Sequence, residues 1–360
     1  MSFAIGIVGL PNVGKSTLFK ALTRKQALIA NYPFATIEPN VGIVEVPDER
    51  LAQLAAISKS GRIVPTTINF VDIAGLVRGA AQGEGLGNKF LSHIREVDAI
   101  VMVVRVFVDN DIVHVHGQVD PKSDVDVIHA ELVIADLETA NRRVDTLKSK
   151  AKGGVTPLLE KELAAVERVR DALQQGNLAS SVALADDEKP PLAELHLLTM
   201  KPFLYVLNVD EKTLKEKAYV GPLSNTLAPQ IALNAKIEAE LADMSPTEAK
   251  EMLTALEIPE SGLDALIRAA YAKLGLISFL TTGEMETRAW TIPVGTKAPQ
   301  AAGVIHTDFE KTFIRAEISN WKDFVTQGGE AGVRDKGLLR VEGKDYVMQD
   351  GDVVHFRVGA

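Results

Sequence analysis

The sequence predicts an α/β protein built on a parallel sheet, and three observations predict it. A short apolar strand, Phe3 to Val8, runs straight into Gly9-Leu10-Pro11-Asn12-Val13-Gly14-Lys15-Ser16-Thr17 and the start of a helix. A second buried strand, Thr67 to Ile73, carries Asp72-Ile73-Ala74-Gly75 at its end. Apolar strands return at Ala99 to Arg105, Phe203 to Leu207 and Gln230 to Leu233, with helical stretches between them. Buried strands alternating with helices are the pattern of a sheet covered on both faces.

The first of these elements has a chemistry of its own. G-x-x-x-x-G-K-[ST] between a strand and a helix is a phosphate cradle, the core of a P-loop NTPase fold. Gly9 and Gly14 let the backbone curl so that N–H groups along Asn12, Val13, Gly14, Lys15, Ser16 and Thr17 point inward, and the helix adds its positive dipole end. Lys15 is placed to reach the β- and γ-phosphates, and the Ser16 hydroxyl to bind Mg²⁺.

Composition bounds the rest. A chain of 360 residues is long enough for two or three domains. Its 46% apolar and 24% charged residues are those of ordinary globular proteins. A net charge of −9 argues against a protein that coats nucleic acid, while leaving room for a local basic face. With no cysteine, disulfides, thiol nucleophiles and Cys-ligated zinc are excluded. The first apolar run is the strand feeding the phosphate loop, and Ala99 to Val104 is too short to span a bilayer, so neither a signal peptide nor a membrane anchor is expected. The expectation is a cytoplasmic protein.

After the first helix comes Asn31-Tyr32-Pro33-Phe34-Ala35-Thr36, a turn-rich run before a strand from Ile37 to Val46. A threonine there offers its hydroxyl to Mg²⁺ and its N–H to the γ-phosphate, so Thr36 is a candidate switch residue. Asp72 and Gly75 form D-x-x-G: the acid holds Mg²⁺ through water, and the glycine N–H meets the γ-phosphate. The following residue, Leu76, stands where many small GTPases use a glutamine to orient water, and it has no hydrogen-bonding atom in its side chain. Hydrolysis therefore needs another group, or a partner. Gly79, Gly83, Gly85 and Gly87 stud the next loop, which also carries Arg78 and Glu84. Beyond the strand at Ala99 to Arg105, His114 and His116 lie in a loop; His114 is the preferred candidate to position the water, the alternative being two surface residues with no catalytic task.

From Asp126 to Ala151, the residues Ala130, Val133, Leu137, Ala140, Val144, Leu147 and Ala151 recur at spacings of three and four. Lys152-Gly153-Gly154 breaks the pattern, and a second helix from Thr156 to Gln175 carries Leu159, Leu163, Val166 and Leu173 on one face. The pair reads as an inserted antiparallel helical hairpin, ended by Lys189-Pro190-Pro191.

The strand at Phe203 to Leu207 ends in Asn208-Val209-Asp210-Glu211. GTPases carry Asn-Lys-x-Asp at this place, and its aspartate accepts two guanine N–H groups. Here Val209 replaces the lysine, Glu211 holds the fourth position, and Asp210 is one residue out of register. Losing that short carboxylate removes the main reason to reject adenine. Asn208 is left to serve N7 or the N6 amine. After the last strand, the backbone at Asn234-Ala235-Lys236 is expected to meet the base, Ala235 above all. Ser245 to Leu276 reads as helical. Strand-like stretches at Thr287 to Val294, Gly303 to Val304, Phe313 to Ile318 and Asp345 to Phe356 then form a β-rich module.

With these motifs assembled, the chain resembles the YchF family of Obg-related P-loop NTPases over nearly its whole length. The resemblance rests on Gly9 to Thr17, the run at 31–36, Phe70 to Leu76, and Asn208-x-x-Glu211. His306-Thr307-Asp308-Phe309 with Gly343-Lys344-Asp345-Tyr346 is similar to a C-terminal TGS domain, a ubiquitin-like β-grasp. The domains implied are an NTPase core over 1–128 and 197–277, the helical insertion over 129–196, and TGS over 278–360. The resemblance also implies ATP in preference to GTP, slow intrinsic hydrolysis, a catalytic role for His114 beside Lys15, and a potassium ion held with the help of Asn12. Members of the family associate with ribosomes, here by implication the large subunit, so a monomeric switch in translation or stress response is expected. Asn234-Ala235-Lys236 departs from the Ser-Ala-Lys of related enzymes.

Two other functions stay open at this point. One is a GTPase of the Obg type. The other is an adaptor for RNA or the ribosome with a structural nucleotide, although ten Lys/Arg against twelve Asp/Glu over 278–360 leave no basic footprint there.

Overall fold

The computed structural model describes residues 3–27, 40–73, 86–109, 119–216 and 229–359. Its contacts divide the chain into two compact units, Met1–Ile43 with Asn69–Leu266, and Val44–Ile68 with Ile267–Ala360. Along the chain come β1 (Ala4–Val8), α1 (Lys15–Ala27), β2 (Val41–Glu45), α2 (Glu49–Ser58), β3 (Ile63–Val64) and β4 (Thr67–Asp72). Next are α3 (Leu86–Glu96), β5 (Ala99–Arg105), α4 (Pro121–Ala151), α5 (Pro157–Gln174) and α6 (Lys189–Ala193). Then follow β6 (Phe203–Asn208), α7 (Glu211–Glu216), β7 (Gln230–Leu233), α8 (Ala235–Leu241), α9 (Pro246–Ala255) and α10 (Gly262–Lys273).

One sheet has the order β2-β4-β1-β5-β6-β7. The pairs β1 with β4, β1 with β5, β5 with β6, and β6 with β7 are parallel. Every residue of β5 and β6 is buried, which is why both read in sequence as continuous apolar runs. The register sets Ile7 beside Asp72, Arg105 beside Asn208 and Asn208 beside Leu233. Asp72, Arg105, Asn208 and the loop after β1 thus share the carboxyl edge of the sheet. The chain leaves β1 between β4 on one side and β5 on the other, the switch point at which open α/β sheets hold ligands.

The helical pair is present, with bounds shifted from the sequence reading. α4 begins five residues earlier than expected, where the Asp120 side chain accepts the Ser123 N–H at 3.1 Å and Pro121 takes the first turn. Val125, Ile128 and Leu132 are buried in the first half of α4. Further along, Val133, Ala140, Val144 and Leu147 form a seam with Ala165, Val166, Val169 and Leu173 of α5. The base of the hairpin is pinned by Asp136, which is fully buried and accepts the N–H groups of Leu198 and Thr199 at 2.8 and 2.7 Å.

The second unit closes the chain with β8 (Leu276–Thr282), β9 (Thr287–Pro293), α11 (Ala298–Ile305), α12 (Thr307–Lys311) and β10 (Phe313–Asn320), followed by α13 (Trp321–Thr326), α14 (Glu330–Asp335), β11 (Arg340–Glu342) and β12 (Asp352–Val358). Its sheet has the order β11-β10-β12-β8-β9-β3. β12 lies parallel to β8 and antiparallel to β10. Ala298, Ala301 and Ala302 pack on one face with Phe279, Phe313 and Phe356. Leu51, Leu54, Phe324 and Val333 pack on the other with Leu280, Ala289 and Val353.

Three sequence expectations from Ser245 onward are corrected. Gly303 and Val304 belong to helix α11, because Pro299 suits a first turn and small alanines let the helix sit close on the sheet. Ser245 to Leu276 is two helices, α9 opened by a reciprocal Ser245–Glu248 capping box and α10 starting at Gly262, and Leu276 already opens β8. The expected strand over Asp345 to Phe356 starts only at Asp352.

Candidate nucleotide site

The phosphate loop has the backbone its sequence demands. Gly14 has φ +95°, and a Cβ there would lie 2.3 Å from Asn208 Nδ2, so glycine is required by conformation and by space. Asn12 has φ +64°, a left-handed value that asparagine adopts more readily than most residues. Val13 is buried, while Asn12, Ser16 and Thr17 are exposed at the mouth of the loop. The Leu18 N–H donates to Gly14 O at 3.0 Å, starting α1 directly behind the cradle.

Lys15 Nζ is ion-paired with Asp72 Oδ1, the first residue of α1 meeting the last of β4. Two motifs 57 residues apart therefore meet at one point. Asp72 itself is held by its N–H, which donates to Asn40 O at 2.8 Å. The Ser16 hydroxyl and the Asp72 carboxylate are hard oxygen donors of the kind Mg²⁺ takes. Among the described residues, no cluster of three or more His, Cys, Asp or Glu is placed to hold a metal.

At the other end of the site, Asn208 acts as a brace. Its Nδ2 donates to Val13 O at 2.9 Å and its Oδ1 accepts the Ala235 N–H at 3.0 Å. The Ala235 N–H, expected from sequence to face the base, is thus taken by Asn208. Asn234 Nδ2 donates to Val209 O at 2.7 Å, and its Oδ1 accepts from the Lys236 and Ile237 N–H groups at 3.0 Å, capping α8. Val209 is fully buried and its N–H donates to Leu233 O at 2.9 Å, so its side chain belongs to the core. Asp210 accepts the Thr213 N–H at 2.8 Å and the Thr213 hydroxyl at 3.0 Å, and these bonds, the backbone one foremost, hold its carboxyl below the usual range. Its carboxylate caps α7. Glu211 is half exposed and pairs with Lys215 at 2.8 Å.

Thr36, Gly75, Leu76, Arg78, Glu84, His114 and His116 lie outside the described residues. Two side-chain roles at the site are not assigned by the sequence reading. The Asn234 side chain had a signal, an asparagine directly before a helix. Arg105 had none: it is 1% exposed, donates to the carbonyls of Phe107 and Asp109 at 3.1 and 3.2 Å, and lies over the Phe107 ring.

A six-stranded sheet, a phosphate loop at its switch point, and a lysine–aspartate pair at the loop define a P-loop nucleotide-binding protein. The family model described as 50S ribosome-binding GTPase matches residues 4–136, and YchF-GTPase_C, described as a protein of unknown function, matches residues 276–359. The chain is 50% identical over 361 residues to "Ribosome-binding ATPase YchF" of Haemophilus influenzae, covering 99% of both chains. It is 48% identical to the protein of that name from Escherichia coli O157:H7 over 360 residues, again covering 99% of each. Among solved structures, the Schizosaccharomyces pombe YchF GTPase superposes with a TM-score of 0.89 at 40% identity, covering 99% of this chain and 98% of that one. The chain belongs to the YchF family.

Proposed function

We propose that this protein is an ATP-hydrolysing switch that associates with the ribosome. The observation that carries the hydrolytic part is the Lys15–Asp72 pair at the phosphate loop. In that reading, Lys15 would hold the β- and γ-phosphates, and Ser16 and Asp72 would hold Mg²⁺, which would neutralise the charge that develops there. Thr36 and Gly75 would contact the third phosphate, a contact that hydrolysis would remove. His114 positions the attacking water in place of Leu76, Asn12 contributes to a potassium site, and the C-terminal module is of the TGS type. Asn12 needs no ion to explain it, since its backbone already favours asparagine; rates compared in potassium and sodium test the ion directly.

The base assignment rests on what surrounds Asn208. Asp210 is committed to capping α7, and Glu211 is one methylene longer than the aspartate that guanine specificity uses. Names among the relatives differ on this point, the Haemophilus influenzae protein being called an ATPase and the Schizosaccharomyces pombe protein a GTPase. Competition of ATP and GTP for the purified protein decides it. Tighter ATP binding is expected, and tighter GTP binding overturns the base assignment. Ribosome association is carried by relatives of the same length named as ribosome-binding; cosedimentation with ribosomes, with and without ATP, tests it and separates a switch from a passive adaptor. Removing the His114 side chain is expected to lower turnover while ATP binding persists, and unchanged turnover removes His114 from the mechanism.

A further inference from the structure

We propose that the cleft between α8, α9 and α10 is an effector site for a small amphipathic carboxylate. The site stands on its own residues; its effect on ATP rests on the function proposed above.

The sequence makes α9 a helix without giving it a core. Ser245 and Glu248 form a reciprocal capping box and Pro246 takes the first turn, so local signals start the helix. A surface helix ordinarily buries an apolar stripe. No residue of α9 is buried, and Ala249 and Leu253, one turn apart, are covered only in part. Both line a cleft of about 450 Å³, whose other walls are Leu241, Ala242 and Met244 at the end of α8 and Leu263 of α10. That volume is in the range of small-molecule sites, and apolar walls take a hydrocarbon body.

Charge sets the head group. Lys250 lines the cleft on the same face of α9 as Ala249 and Leu253, and no other cation among the described residues does so. It is exposed, and among the described residues it has no ion-pair partner. The acids that line or border the cleft are engaged. Glu238, 3% exposed, accepts the Ser261 hydroxyl and the Gly262 N–H, each at 2.7 Å. Glu248 accepts the Ser245 N–H and hydroxyl at 2.9 and 2.6 Å. Asp243 pairs with Arg24 at 2.7 Å, and Asp264 has a partner as well. Glu251, next to Lys250 in sequence, does not line the cleft. An amphipathic cation would meet a like charge and acids already bonded, whereas a carboxylate meets an ammonium able to donate to it.

The cleft shares a helix with the nucleotide site. α8 begins at Ala235, whose N–H donates to Asn208 Oδ1 at 3.0 Å, and Asn208 Nδ2 donates to Val13 O in the phosphate loop at 2.9 Å. At about 1.5 Å per residue, Leu241 lies roughly 9 Å further along the same helix. Just past its end, Asp243 holds Arg24 of α1, the helix that follows the phosphate loop. A ligand that fixes the end of α8 thus acts on an element fastened at the nucleotide, and the two ligands alter one another's affinity.

The test titrates the full-length chain by calorimetry with octanoate, octanol and octylammonium, each below the concentration at which it aggregates. Octanoate is expected to bind saturably, and tighter than the other two. Lys250→Met should weaken octanoate about tenfold, the worth of one charge-assisted hydrogen bond, while leaving octanol and ATP binding unchanged. Ala249→Phe fills the cleft and should abolish octanoate binding with the unfolding midpoint kept. Saturating octanoate should change ATP affinity by about fivefold or more, and ATP should change octanoate affinity by the same factor. Absence of saturable octanoate binding overturns the site, as does wild-type octanoate affinity in Lys250→Met or in a folded Ala249→Phe chain. Octanol or octylammonium binding as tightly as octanoate overturns the carboxylate assignment. An ATP affinity that octanoate leaves unchanged overturns the effector role. Octanoate binding through Lys250 by a chain with no affinity for ATP supports the cleft and sinks the function proposed above.

Discussion

The Asn208 amide joins β6 to the phosphate loop, donating to the Val13 carbonyl at 2.9 Å while accepting the Ala235 N–H at 3.0 Å. One side chain thus ties the phosphate loop to the start of α8. Asn208→Ala leaves a carbonyl and an N–H in a buried place without partners, at a cost of about 1–3 kcal/mol each. The expected outcome is a lower unfolding midpoint together with at least a tenfold loss of nucleotide affinity. Retained affinity in a destabilised protein would show that the loop keeps its shape unaided.

Lys15 and Asp72 are ion-paired at the phosphate loop, so removing either has a distinct signature. Lys15→Ala should abolish triphosphate binding whether or not Mg²⁺ is present. Asp72→Asn should keep magnesium-independent binding, measured with excess chelator, and lose the gain that Mg²⁺ confers. An Asp72→Asn protein that responds to Mg²⁺ like wild type would remove Asp72 from the metal site.

What was legible in the sequence follows from how strictly each feature constrains residue type. Gly14 is readable because its φ of +95° and the nearness of Asn208 admit no side chain, and Lys15 because it follows at a set spacing. The fully buried strands β5 and β6 announce themselves as unbroken apolar runs. The base end was harder. Asp210 reads in sequence as a carboxylate one residue out of register with the recognition motif, and in the fold it caps α7 by accepting the Thr213 N–H. Gly303 and Val304 read as strand because both carry weak helical signals, and the packing of the α11 alanines on a sheet is a tertiary matter. Arg105 illustrates the limit: nothing local marks an arginine that is buried and donates to carbonyls of the loop that follows it.

At the root of the hairpin, Asp136 accepts from Leu198 N, Thr199 N and Thr199 Oγ1 at 2.8, 2.7 and 2.7 Å. Asp136→Ala strands two buried N–H groups and should cost about 2–4 kcal/mol. Asp136→Asn keeps one acceptor oxygen and should cost less. Burial pushes the Asp136 carboxyl above its ordinary value of 3.8, outweighing the bonds from Thr199 and Leu198 that pull it down. The folded state therefore binds this proton more tightly than the unfolded one, and the residue's contribution declines as pH rises from 3.8 through the raised value. Denaturant midpoints of wild type and Asp136→Asn should accordingly shift toward the asparagine variant as pH rises. A gap independent of pH would mean that the carboxyl is not raised.

Glu317 on β10 has the opposite sign. Its Oε2 accepts from Arg357 Nη2 at 2.9 Å and its Oε1 from Arg315 Nη2 at 3.1 Å. Arg357 foremost, then Arg315, holds the carboxyl down from 4.5 to about 2. A depressed folded value means that the stabilisation is complete above 4.5 and is lost as pH falls toward about 2. Comparison of wild type with Glu317→Gln by denaturant unfolding should show a wild-type advantage at neutral pH that persists just below 4.5 and vanishes near the lower limit. Both arginine side chains are about half exposed, at 50% and 41%, so added salt should shrink the advantage at every pH. An advantage that disappears already at 4.5 would mean that the arginines leave Glu317 an ordinary carboxylate. One that resists salt would place the stabilisation in packing and not in charge.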